Sequence, residues 1–214
     1  MVLLALVVLA APVPADPPFP PEVQAWVRDL NDPAAKVRQQ AIHELRMKAR
    51  RVDVSGGQRV RRGEPFAPQV PGLVPHLVRA AGDEAEPNRL VAIMALADTL
   101  DPAAVTAIRA RLKDKSPSVR FHAACLLTEF KDASGLDEMK DALKRFRADP
   151  KAPGPFDVER LLASLERITG KGFGPIPPNP FISSDSRVAA ASEARYRELL
   201  DTWAAWWDWQ PPAR

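Results

Sequence analysis

From Glu22 onward the apolar residues fall on helical spacing. Val23, Trp26, Val27 and Leu30 stand at i, i+3, i+4 and i+7, one face of a first helix. No run alternates apolar and polar residues as a half-buried strand would. Asn31-Asp32-Pro33 stops that helix and starts a second, whose buried stripe reads Val37, Ala41, Ile42 and Leu45. Proline suits such a start, because the first helical amide has no partner to lose. The pairing then recurs. Leu73, Leu77 and Val78 precede the turn Gly82-Asp83 and a helix from Arg89 to Leu100. Val105, Ile108 and Leu112 precede a turn and a helix opened by Pro117, with Val119, Ala123, Ala124, Leu127 and Phe130 on its stripe. Leu136, Met139 and Leu143 pair with Val158, Leu161, Leu162, Leu165 and Ile168. The pattern predicts an all-α chain of about four helical pairs.

A polar register runs through the pairs. Arg38, Arg89 and Arg120 each have Asp six residues earlier (Asp32, Asp83, Asp114), Ala three later and Leu seven later. An arginine in the first turn of a helix is at the wrong end for the macrodipole, so its recurrence asks for a partner. The recurrent aspartate is the obvious one, within the repeat or in the next, so these six residues are expected to form a structural ladder. Small Ala keeps the two helices of a pair close. A repeat near 30 residues built from helix pairs reads as an α-solenoid.

The pattern L-x-D-x4-VR-x2-A-x3-L, seen at Leu30–Leu45 and Leu112–Leu127, resembles the short units of the HEAT-repeat family. The resemblance covers residues 22–170 and implies a right-handed α-solenoid whose second helices line the concave side. Polar residues there, Gln39, Gln40, Glu44, His122 and Glu129, are then the expected contacts with a protein partner. The second unit departs from the pattern, with Asn88 for Val and Ala81 for Leu; in the fourth, Glu159 or Arg160 takes the arginine's place.

The two ends read differently. Residues 171–187 form a Gly/Pro-rich loop, and 188–210 a last helix bearing Trp203, Trp206 and Trp207 on one face. Those three are expected to cap the open end of the array, while Trp209 lies off their stripe. The ending LxxITGxxFG with a later WxxWW resembles the tails of exported HEAT-repeat proteins of planctomycete-type bacteria. At the N-terminus, an apolar run from Val2 to Ala11 is too short for a membrane span, which takes about 20 residues. With Val13-Pro14-Ala15 after it, the run reads as a signal peptide over residues 1–15, though no Lys or Arg precedes it. A Pro-rich linker follows at 16–21, and no span is expected in the mature chain.

Composition adds limits. The formal charge of +3 over 214 residues is mild, and one cysteine, Cys125, excludes an intramolecular disulfide framework and a cysteine-based zinc site. A basic insertion at 50–68 changes the picture more. Arg46, Lys48, Arg50, Arg51, Arg59, Arg61 and Arg62 make a candidate polyanion site, in the manner of HEAT-like DNA glycosylases. Export would set nucleic acid aside. His43, His76 and His122 lack metal spacing, and no nucleophile elbow, phosphate loop or dinucleotide fingerprint occurs, so no cofactor is expected. The expected function is a non-enzymatic protein-interaction scaffold of the periplasm or cell envelope, with polyanion binding as the alternative.

Overall fold

The computed structural model describes residues 19–49, 70, 72–149, 153–154 and 156–208. Among these, all regular structure is helical. Four pairs follow one another: α1 (Pro21–Asp29) with α2 (Ala35–Ala49), α3 (Val74–Ala80) with α4 (Glu86–Asp98), α5 (Pro102–Ala110) with α6 (Pro117–Leu127), and α7 (Leu136–Ala148) with α8 (Asp157–Thr169). A long ninth helix, α9 (Ser186–Asp208), closes the series. Proline is at the first or second position of α1, α3, α4, α5 and α6, where its missing amide costs no helical hydrogen bond.

The second helices stack in order, α2 on α4, α4 on α6 and α6 on α8, while α3 meets α5 in the other layer. This is the two-layered arrangement of an α-solenoid. Small residues set the spacing. Ala41, Ala92 and Ala123 are all buried, and Gly135 brings the start of α7 against the backbone of Ala124. An ideal Cβ on Gly135 would lie 2.6 Å from Ala124 Cα, so only glycine permits the approach. Gly170, in the left-handed region at φ 69°, ends α8.

Two expected stripe residues are on the surface instead. Val37 is 39% exposed and Val78 is 40% exposed. The residue just before the ladder arginine faces the preceding repeat: Val119 is fully buried, and Asn88 is 1% exposed. Val37 holds that position in the first pair, where no described repeat precedes it. Asn88 replaces an apolar contact by a polar one, its Nδ2 donating to the Ala35 carbonyl of α2 at 3.1 Å.

The fourth pair shifts phase. Leu161, Leu162 and Leu165 are buried on α8, three, four and seven residues after Val158. Val158, not Glu159 or Arg160, thus takes the arginine's place. Arg160 is two residues on, rotated by about 200° around the helix. It leaves the ladder edge for the opposite face.

α9 packs on α7 and α8 and starts two residues before the sequence pattern placed it. Trp203 is fully buried in a cluster with Leu143, Leu161, Leu165 and Leu199. Its ring meets Phe173 edge-on at 4.9 Å and Trp206 at 5.4 Å. Trp206 and Trp207 are half-buried around it, with Lys140 Nζ 5.9 Å from the Trp207 ring centre. The loop before α9 is tied down by Tyr196, whose hydroxyl donates to the Pro177 carbonyl at 3.2 Å. Trp209 is outside the described residues.

Candidate functional site

The polar register forms continuous contacts along the turn edge of the array. Arg38 donates from Nε and Nη2 to Asp83 at 2.7 and 3.0 Å, and Arg89 does the same to Asp114 at 2.9 and 2.8 Å. Each arginine therefore reaches forward to the aspartate of the next pair. Its remaining nitrogen reaches back within its own pair: Arg38 Nη1 to the carbonyls of Asp32 and Pro33, Arg89 Nη1 to those of Asp83 and Glu84. Asp83 and Asp114 accept in turn from the amide two residues on, Ala85 and Ser116. One guanidinium thus joins two turns, and one carboxylate fixes the turn it belongs to.

The series ends differently at each side. Arg120 reaches back to the Asp114 carbonyl but forward to Glu138 on α7, at 3.1 Å. Among the described residues the Asp32 carboxylate accepts from the Ala34 amide alone, at 2.7 Å. Burial pushes the carboxyls of Asp83 and Asp114 up. Hydrogen bonds outweigh it, from Arg38, Ala85 and Asn88 to the first and from Arg89 and Ser116 to the second, and hold both below the ordinary carboxylate range. The ladder residues are consumed in holding the stack together.

A cleft of about 470 Å³ opens on the other side, across the second helices. Arg46 and Asp98 stand at one end, Met94, Leu126 and Glu129 along the middle, and Phe156, Glu159, Arg160, Ala163 and Arg167 on the α8 wall. Arg46 Nε donates to Asp98 at 2.7 Å, a further contact between the first and second pairs. Arg167 donates to Thr128 Oγ1 at 2.9 Å. Asn179 Nδ2 reaches Glu159 at 3.4 Å. Arg160 has no hydrogen bond or ion pair from its guanidinium to any described residue, and its Nη1 is shut off from solvent.

Of the residues expected to meet a partner, only Glu129 lines this cleft. Gln40 and Glu44 are bonded to each other at 2.6 Å on α2, and Gln39 is half-buried beside them. His122 is tucked between α6 and α8, with Nδ1 2.9 Å from the Ser118 carbonyl and Nε2 3.9 Å from Asp157. Burial and the Arg160 charge lower its pKa, so its neutral form is favoured. Cys125, on the cleft floor, is buried, and burial pushes its thiol up to about 12, well away from a reactive thiolate. Of the basic segment, Arg46 and Lys48 are half-buried on α2; Arg50, Arg51, Arg59, Arg61 and Arg62 are outside the described residues. Among the described residues no three His, Cys, Asp or Glu side chains gather as metal ligands, and no helix is long and apolar enough to cross a membrane.

Sequence reasoning named Arg160 only as a candidate for the ladder and missed the cleft that it lines. The signal was the failure of the fourth unit to keep register, which marks α8 as the helix that presents a different face.

Residues 73–152 match the family model of HEAT repeats. A search of curated proteins found no match.

Proposed function

We propose that this chain, a HEAT-repeat protein, is a non-enzymatic scaffold that holds a protein partner in the periplasm or cell envelope. HEAT repeats are commonly protein-interaction scaffolds. The observation that carries the reading is the division of labour between the two sides of the stack. The recurrent charges along the turn edge are spent on each other, whereas the second-helix side keeps a cleft with charged and apolar groups side by side. A cleft of that kind suits a polypeptide, which offers apolar side chains and backbone polar groups together. Export rests on the N-terminal apolar run with its small-residue end at Ala15.

Intact mass and fractionation in the native host test the assignment. A species beginning at Asp16, found outside the cytoplasm, is the expected result. A full-length cytoplasmic species with steeply salt-dependent binding to DNA or RNA would replace the scaffold with a polyanion binder acting through residues 46–62.

A further inference from the structure

We propose that Arg160 anchors a carboxylate carried by an extended segment of the protein partner, seated in the cleft between α6 and α8. The inference rests on the scaffold reading and adds the partner's chemistry to it.

Three observations converge. The first is the guanidinium itself. Arg38, Arg89 and Arg120 each reach a carboxylate and backbone carbonyls, while the Arg160 guanidinium, on the cleft wall, meets no hydrogen-bond or ion-pair partner among the described residues, and its Nη1 is the nitrogen left orphaned. A buried polar nitrogen without a hydrogen bond is costly, and a charged one more so. A planar carboxylate is the group a guanidinium fork accepts best.

The second is the surroundings. The other two cations that line the cleft among the described residues are engaged, Arg46 with Asp98 and Arg167 with Thr128. Phe156, half exposed, and Leu126 give apolar surface on the α8 and α6 walls. A carboxylate next to an apolar side chain would meet both kinds of group at once.

The third decides between a peptide and a polyanion. Among the described residues the cleft is lined by three arginines, Arg46, Arg160 and Arg167, and by three acids, Asp98, Glu129 and Glu159. A phosphate chain spans several groups at once and would meet Asp98 beside Arg46 and the acids Glu129 and Glu159, which repel it. One carboxylate aimed at Arg160 avoids that penalty. The phase shift of α8 turns the arginine off the ladder edge and towards the cleft.

The test is selection from a random seven-residue peptide library displayed on phage, using the full chain as bait, followed by titration of the enriched peptide. Enriched sequences should share Asp or Glu beside an apolar residue. Arg160→Gln should weaken the enriched peptide about tenfold or more, as should Glu→Gln or Asp→Asn in the peptide, and the two losses should not add. Arg160→Lys, which keeps charge but not the fork, should fall between. Should Arg160→Gln unfold the protein, the peptide-side change reads the same contact on the wild-type chain. Enrichment without an acidic residue, equal binding by Arg160→Gln, or no enrichment at all overturns the anchor. Peptides that bind but ignore Arg160 leave the scaffold reading standing, so the two fail separately.

Discussion

Arg89 and Asp114 meet across the junction of the second and third pairs through two hydrogen bonds, of 2.9 and 2.8 Å, with side chains only 4% and 3% exposed. Removing one partner of such a pair leaves the other buried and uncompensated. Asp114→Asn should therefore destabilise by about 3 kcal/mol in chemical denaturation. Asp32→Asn should change stability by about 0.5 kcal/mol or less, since Asp32 has the same place in its repeat but its carboxylate meets no arginine among the described residues. Equal losses at the two sites would mean that the aspartate acts through its turn and not through the ladder.

The pH dependence follows from the same pairs. Asp83 and Asp114 titrate below their unfolded range, so their contribution is complete above the unfolded value, about 3.9, and disappears as pH falls through the lower folded value. His122 and His76 are also depressed, the first by burial and Arg160, the second by burial and Arg79. For a histidine this means the unfolded chain takes up the proton first, so stability begins to fall below about pH 6.5. Melting temperature against pH should show a shallow loss from the histidines and a steeper one below about pH 4. His122→Gln should reduce the first and Asp114→Asn the second.

Gly135 tests the closeness of α6 and α7. A methyl group there would meet the backbone of Ala124, which has no flexible end to move aside. Gly135→Ala should cost about 1–3 kcal/mol through overpacking. An unchanged unfolding midpoint would show that the two helices separate freely.

The last helix should behave as a cap. Trp203 is fully buried and Trp207 only half, so Trp203→Ala should cost about 3–5 kcal/mol. Trp207→Ala should cost markedly less. Ending the chain at Asp185 would bare the faces of α7 and α8 that α9 covers, and should yield soluble aggregate or a non-cooperative melt. A truncated monomer that melts cooperatively would assign the tryptophans to binding.

The repeat was legible because its signals are local. Helix pairs, their turns and the buried alanines depend on spacing alone, and the arginine–aspartate spacing pointed to a partner within the repeat or the next. The direction of that pairing, forward from Arg38 to Asp83 and from Arg89 to Asp114, depends on how two repeats sit against each other. Val37 read as core because its spacing matches Val119; only a missing neighbour distinguishes them. Asn88 looked like a departure from the pattern and is a hydrogen bond to the preceding helix. Arg120 to Glu138 was hidden because the acceptor changes from a turn to a helix. The cleft was the least legible feature, since it gathers residues from four helices, and Arg160 enters it through a two-residue change of phase.

The scaffold reading meets its most direct test in site-specific photocross-linking in the native host. Benzoylphenylalanine at Ala163, on the α8 wall of the cleft, should give a discrete protein adduct in the envelope fraction. The same group at Ala205, on the exposed side of α9, should not. No adduct from Ala163, or the same adducts from both positions, would contradict a partner held by the second-helix cleft.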